Sequence, residues 1–362
     1  MVDKNLFLYN LAVVAILKNE GPYLKEWLDY HLMAGVDHFY LYDNGSPDNQ
    51  AEVAAPYVEA GLVDYFPLPG SKKQLVAYKT AINKFKFQSR YMAFVDGDEF
   101  IFPQSNRSIS EVLDEILSQD KNAAGVAINW QIFGSNGQEK ADYSRGVLER
   151  FTRRAPRSEG RNHIVKTIAN PRAIEKYAHP HYPVYFDGAY SINENGGVVE
   201  KFSNKPVTAD KIALHHYYLK SKEEAEKKFN VFSPCNGRDK REIKDRRMVT
   251  EDRNEEFDDS ILAYRAARAK VYQPPDNSNV AERLLSALKR NLSTDSYAGK
   301  METFLTCRAV AAYLKQPTYE EAALKAIVKS LQTRFSFADA GLLVKELPEI
   351  WKLLYPVIEA KF

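Results

Sequence analysis

Apolar residues in the first hundred positions follow two alternating rhythms. Leu11–Leu17 is an unbroken aliphatic run, the pattern of a strand covered on both faces. Pro22 then stands where a helix can begin, since its missing N–H costs nothing there. Leu24, Trp27, Leu28, His31 and Leu32 recur at helical spacing, and Gly35 marks the stop. The same alternation predicts strands at His38–Tyr42, Leu62–Pro67 and Tyr91–Val95, with helices at Glu52–Glu59 and Lys73–Phe87 between them. Strands and helices alternating at this spacing imply right-handed crossovers and a mostly parallel α/β sheet.

Beyond residue 100 the rhythm loosens. Ile109–Leu117 reads as a helix capped by Ser108 or Ser110. Ala124–Phe133, Val147–Thr152, His163–Ala169 and Ile212–Leu219 read as strands, with hairpins or an ordered loop over Pro180–Gly197. From Ser221 the pattern turns helical. Residues 238–259 carry seven basic and nine acidic side chains in 22, a mixture that predicts a solvated helix or lid. The tail from 277 reads as amphipathic helices, the last led by Pro348. No repeat or low-complexity segment interrupts the chain.

Composition narrows the class. Of 362 residues, 44% are hydrophobic and 27% charged, an ordinary globular balance. A net charge of +2 without a basic stripe argues against nucleic-acid binding. Cys235 and Cys307, 72 positions apart, make neither a disulfide framework nor a zinc site and suit a reducing compartment. Leu11–Leu17 is too short to span a membrane, and no small-residue cleavage pattern follows it. The expected setting is cytoplasmic, with peripheral attachment to the inner face of a membrane left open.

Chemistry gathers where the strands stop. Lys18-Asn19-Glu20, Asp43-Asn44-Gly45-Ser46 and Asp96-Gly97-Asp98-Glu99 each follow a predicted strand. In a parallel sheet all three lie at one edge, where open α/β sheets bind ligands. Asp96 and Asp98 cannot both be buried unpaired, because desolvating ionised carboxylates is expensive. Two hard oxygen ligands suit Mg²⁺ or Mn²⁺ on a diphosphate. Asp43-Asn44-Gly45 alone is also an ordinary turn.

The run from Ile16 through Lys18-Asn19-Glu20-Gly21-Pro22-Tyr23 to His31, then Tyr42-Asp43-Asn44-Gly45-Ser46, closely resembles glycosyltransferase family 92, a group of family-2-like enzymes with the GT-A fold. The match continues through Gln74, Tyr78, Val95-Asp96-Gly97-Asp98-Glu99-Phe100, Trp130–Gly137 and Lys166–Pro171 to His215-His216-Tyr217-Tyr218 and Glu224, covering roughly residues 11–230. The resemblance implies a metal-dependent, inverting transferase that uses a nucleotide sugar, most often a UDP-hexose, on a saccharide or glycolipid acceptor. By the same resemblance Asn19, Glu20, Asp43, Gln74, Tyr78 and Asp96 would line the nucleotide site. Asp96 and Asp98 would meet the metal, with Asp98 the better candidate for direct contact. His216 would add a further ligand, with His215 its competitor, since alternate strand residues face opposite ways. Lys166 is a candidate for the donor phosphates, or a surface lysine. Trp130, Phe133 and Ser135 suit an acceptor sugar, with Trp130 as plain core the alternative.

Inversion needs a general base, for which Asp142, Glu149 and Asp187 are candidates; Asp187 stands in an aromatic segment, His181–Gly188, that could bind sugar. Residues 1–235 would form the catalytic domain. Residues 236–362 would form a helical region opening with a charged lid or linker over 236–260. The absence of an anchor and paired cysteines favours a bacterial-type enzyme of surface polysaccharide synthesis. The competing readings are a non-catalytic carbohydrate-binding or scaffold protein on this fold, and a sugar nucleotidyltransferase. The latter usually needs a glycine-rich basic loop where this chain has Lys18-Asn19-Glu20-Gly21-Pro22.

Overall fold

The structure is a computed structural model that describes residues 7–86, 88–186, 188–230 and 244–274. The chain divides into two compact units, and the one that holds the site comprises Leu11–Lys84 and Tyr91–Pro274. It runs past the domain boundary of 235 expected from the sequence. Of the other unit (2–10, 85–90 and 275–362), only 7–10, 85–86 and 88–90 are described. The helices expected from 277 onward lie outside the described residues.

The elements follow in chain order as β1 (Tyr9–Leu17), α1 (Gly21–Met33), β2 (His38–Asp43), α2 (Gln50–Glu59), β3 (Val63–Pro67), α3 (Gln74–Phe85), β4 (Ser89–Phe94) and β5 (Glu99–Pro103). Then come α4 (Ile109–Leu117), β6 (Ala123–Ile132), α5 (Val147–Arg150), β7 (Arg153–Arg154), β8 (Val165–Ala169), β9 (Ile174–His179), β10 (Tyr182–Tyr185), β11 (Tyr190–Ile192) and β12 (Val198–Val199). The described chain finishes with β13 (Ile212–His216), α6 (Lys222–Phe229), α7 (Lys244–Glu251), β14 (Glu256–Phe257) and α8 (Ser260–Ala269).

The α/β architecture is the one the hydrophobic rhythm predicts. The main sheet runs β12-β11-β6-β8-β4-β1-β2-β3, and β13 joins β6 to β5 beside it. β1, β2 and β3 pair in parallel, so Leu17 stands level with Asp43. β8 runs antiparallel to β4 and β6. β13 is parallel to β6 and antiparallel to β5, which sets His216 opposite both Ile132 and Glu99. Every β1 residue from Leu11 to Leu17 is buried, as a strand covered on both faces requires.

Helix α1 does more than cover the sheet. β5 hydrogen-bonds to β13 along one edge only, and α1 side chains serve its other edge. Trp27 Nε1 donates to Glu99 O (2.8 Å), Tyr30 Oη donates to Ile101 O (2.9 Å), and Ile101 N donates to His31 Nε2 (3.3 Å). The apolar stripe of α1 is therefore also a polar clamp that fixes where the Asp96–Glu99 turn leads. Ser108 caps α4 in a capping box with Glu111.

Two expectations are corrected. Val147–Thr152 is not a strand: Val147–Arg150 is one helical turn, because Glu26 accepts hydrogen bonds from the N–H groups of both Val147 and Leu148. The charged stretch 238–259, described from residue 244 onward, is not one helix there: it contains α7 and then β14, which pairs with β7. Among the described residues no helix is long and apolar enough to cross a membrane.

Candidate active site

A cavity of about 620 Å³ opens at the strand ends, within the usual range for small-molecule sites. Asn19, Glu20, Gln74, Asp96, Asp98, Trp130 and His216 all border it, so the sheet gathers residues far apart in sequence as expected. Its wall also carries Tyr23, Asp48, Tyr143, Arg161, His181, Tyr218, Lys220, Glu224, Lys228 and Arg247.

Of the segment after β2, Asp43–Ser46 builds the loop after β1, while Pro47 and Asp48 reach the cavity wall. Asp43 Oδ1 accepts from Ser46 N (2.9 Å), Ser46 Oγ accepts from Asn19 N (3.0 Å), and Asp48 Oδ2 accepts from Gly21 N (2.8 Å). A Cβ on Gly21 would stand 2.3 Å from Asn49 Oδ1 and 2.8 Å from Asp48 Oδ2, so any larger residue would displace those side chains. Asp43 is thus a turn-former one layer behind the wall and does not border the cavity. Asn19, held at φ 59°, presents a buried Oδ1 without a hydrogen-bond partner. Lys220 is also held at positive φ (62°), so two of the four such non-glycine residues described border the cavity.

Asp96 and Asp98 have different surroundings. Asp96 Oδ1 accepts from Gln74 Nε2 (2.8 Å), and its Oδ2 is ion-paired with Lys166 (2.8 Å). Lys166 also lies 3.2 Å from Glu99, whose carboxylate accepts from Asp96 N and from Trp130 Nε1, each at 2.8 Å. Burial, only partly offset by Lys166, pushes Glu99 up to about 8. Asp98 instead faces His216 Nε2 at 3.6 Å and is ion-paired with Lys228. Burial opposes its ionisation, but Lys228, His216 and Lys220 outweigh that and hold it well below the usual carboxylate range. Burial holds His216 down despite Asp98, and its buried Nδ1 has no hydrogen-bond partner.

Strand alternation separates the two histidines. His216 faces Asp98, whereas His215 packs between Phe102 (4.8 Å) and Phe133 (4.6 Å) in the core. Asp98 and His216 offer one hard oxygen and one imidazole nitrogen at one end of the cavity, a pair that suits Mn²⁺ or Mg²⁺ if the remaining ligands come from a diphosphate and water. Among the described residues no three His, Cys, Asp or Glu side chains converge as a closed metal site.

Other expected site residues stand elsewhere. Lys166 is 1% exposed and does not border the cavity: its ammonium is ion-paired with Asp96 and Glu99, so it is no surface lysine. Tyr78 is fully buried behind Gln74, from which its Oη accepts (3.1 Å). Phe133 belongs to the core, stacked on Tyr217 at 4.6 Å. Ser135 is held away from the cavity, its N–H donating to Asp252 Oδ1 (2.7 Å). A Cβ on Gly134 would stand 2.4 Å from Arg253 O, so that glycine admits the protein's own backbone rather than a sugar. Trp130 borders the cavity, but its N–H is committed to Glu99 and its ring is tilted against His216 at 4.3 Å. Asp142 caps the turn at Ser144, and Glu149 pairs with Arg265 (2.7 Å); neither borders the cavity. Asp187 lies outside the described residues.

The wall residues missed by sequence reasoning are mostly cations and aromatics. The Lys220 ammonium lies 4.1 Å from the Tyr23 ring centroid, and that of Lys228 lies 3.9 Å from the Tyr218 ring. Tyr23 and Tyr143 present neighbouring rings, 6.1 Å apart. His181 packs edge-on to Trp130 (5.3 Å) and is held down to about 3 by burial, aided by Lys166. Its Nδ1 meets Val165 O (2.9 Å), which assigns the proton to Nδ1 and leaves Nε2 as an acceptor. Ser221-x-x-Glu224 was the one legible signal, a capping box that starts α6 and so places Lys228.

The chain is similar to several known proteins over part of its length. A glycosyltransferase family 92 protein of Ricinus communis is 25% identical over 193 residues, covering 53% of this chain and 34% of that protein. A galactan β-1,4-galactosyltransferase of Arabidopsis thaliana is 28% identical over 100 residues, covering 25% of this chain and 19% of its own. The matches span between 19% and 38% of the length of the curated relatives. A glucosyl-3-phosphoglycerate synthase from Mycobacterium tuberculosis, solved with Mn²⁺, uridine diphosphate and glucosyl-3-phosphoglycerate, superposes with a TM-score of 0.29 at 15% identity, covering 55% of this chain and 73% of that one. The model of glycosyltransferase family 92 matches residues 16–257, more than half of the chain, and takes in every strand end that borders the cavity. This chain belongs to glycosyltransferase family 92.

Proposed function

We propose that the chain is a divalent-metal-dependent, inverting glycosyltransferase that moves a hexose from a UDP-sugar to a saccharide or glycolipid acceptor in surface polysaccharide synthesis. The observation that carries this reading is the pairing of Asp98 with His216 at 3.6 Å on the wall of a 620 Å³ cavity. Family membership supports the transferase chemistry. The cytoplasmic setting belongs to the same proposal, supported by a chain with only two cysteines.

In this reading Asp98 and His216 would hold the ion, and a divalent ion bound there would supply charge neutralisation to a departing diphosphate. Lys220, Lys228 and Arg247 add positive charge to the same wall. Asn19 Oδ1, buried and without a partner, suits the imide N–H of uracil. The acceptor oxygen bonds to the anomeric carbon from the face opposite the diphosphate, the bond from that carbon to phosphate oxygen breaks, and UDP leaves. The acceptor's hydroxyl proton passes to a base. Glu20 and Asp48 are the wall groups with that chemistry outside the metal end; His181, held down to about 3, is too weak a base. Glu224 is unsuited, because Arg150 and the α6 cap hold it down to about 2 against burial.

A panel of UDP- and GDP-hexoses tests the reading. With Mn²⁺ present, slow hydrolysis of one UDP-hexose is expected, measured as released UDP and abolished by EDTA. Release from a GDP-sugar alone would replace the donor assignment. No release from any sugar, with no nucleotide binding, would favour a scaffold.

A further inference from the structure

The carboxylate that the metal would need already carries a cation. Lys228, in the last turn of α6, is ion-paired with Asp98 Oδ2 and donates to Tyr218 O at 2.8 Å. The other Asp98 oxygen faces His216. A divalent ion held by Asp98 and His216 would share the Asp98 carboxylate with this ammonium, and two cations on one carboxylate repel. The lysine and the metal would therefore compete for Asp98.

Lys228 differs from the cation on the neighbouring aspartate. Lys166 is 1% exposed, wedged between Asp96 and Glu99 and away from the cavity, so it is a fixed counter-ion. Lys228 borders the cavity, is 18% exposed, and reaches Asp98 on a flexible four-carbon stem. Its ammonium lies 3.9 Å from the Tyr218 ring centroid, and Tyr218 itself borders the cavity. The ammonium therefore stands at the cavity wall on a stem long enough to turn away from Asp98 without moving α6. The rest of α6 is held in place: Arg150 grips Glu224 through two bonds of 2.9 and 2.7 Å.

We infer that Lys228 is a resident counter-ion of Asp98, which it yields to a divalent ion when a nucleotide diphosphate arrives to take the ammonium instead. Metal and nucleotide then bind as a linked pair, each raising the affinity for the other. Alone, the metal must evict a lysine that has nowhere equally good to go. With a diphosphate in the cavity, the displaced ammonium gains a phosphate partner and Asp98 is freed. This inference rests on the donor-site reading above.

The test measures Mn²⁺ binding to the full chain by electron paramagnetic resonance of the free ion, without nucleotide, and UDP binding at saturating Mn²⁺. Lys228→Met should bind Mn²⁺ alone about tenfold more tightly than the parent, and should bind UDP with Mn²⁺ about tenfold more weakly. Lys228→Arg, which keeps the cation, should exclude Mn²⁺ as the parent does, and urea unfolding checks that both variants fold. Should Lys228→Met not fold, Lys228→Gln makes the same comparison. Mn²⁺ affinity without nucleotide that is unchanged or weaker in the uncharged variant would overturn this inference alone. A parent chain that takes up no Mn²⁺ even with UDP would overturn the donor-site reading, and this inference with it.

Discussion

His31 shows how a residue with an apparently plain role can carry a specific load. Helical spacing placed it on the buried face of α1, and it is fully buried. The spacing could not show that its Nδ1 donates to Trp27 O (2.9 Å) while its Nε2 accepts from Ile101 N. Protonation would turn that acceptor into a donor facing a donor. Burial accordingly holds His31 down to about 4 from 6.5, and His215 likewise. Between these values the native chain holds fewer protons than the unfolded one. Stability is thus fully present above about 6.5 and is lost as pH falls through about 4. Urea midpoints should drop across this window, and His31→Gln, which cannot titrate, should drop less steeply; an identical slope would refute the assignment. At the same scale, alternation along β13 showed that only one of His215 and His216 could face Asp98, and the family resemblance picked His216. Lys166 was not legible, since its partners Asp96 and Glu99 lie on other elements and only the folded sheet brings the three together.

Elements inherit both the strengths and the blind spots of their residues. The strands and helices of residues 11–100 were readable because the apolar rhythm there is unbroken and each element packs on its neighbour in sequence. Val147–Arg150 was not, because a tertiary partner decides it: Glu26 caps the turn, and a Cβ on Gly146 would stand 2.1 Å from Glu26 Oε1. Helix α6 is the element on which the site most depends. Arg150 and Glu224, each with 1% of its side chain exposed, anchor its first turn, and Lys228 stands in its last. Removing one partner leaves the other charge buried and unpaired. Arg150→Met should therefore destabilise the chain by roughly 3–5 kcal/mol. Urea unfolding measures this, and a loss below about 1 kcal/mol, the scale of a surface pair, would show that the anchor is not desolvated.

At the scale of the molecule, the α/β architecture and the gathering of three strand-end clusters at one edge were both legible in the sequence. The division of labour among those clusters was not. Lys18–Glu20 and Asp96–Asp98 reach the cavity, while Asp43–Ser46 supports the first of them through hydrogen bonds that spacing cannot reveal. The cationic wall was equally hidden, because Lys220, Lys228, Arg161 and Arg247 come from segments whose sequence reads as ordinary surface. Family membership covers residues 16–257, and that is the part in which the cavity is built. The central claim is that Asp98 and His216 hold a metal ion against a uridine diphosphate. Calorimetric titration of UDP into the chain, with Mn²⁺ and then with EDTA, tests it most directly. Binding that needs Mn²⁺ and falls at least tenfold in Asp98→Asn is the predicted result, that factor corresponding to about 1.4 kcal/mol. Equal UDP affinity with Mn²⁺ and EDTA, unchanged in Asp98→Asn, would contradict it.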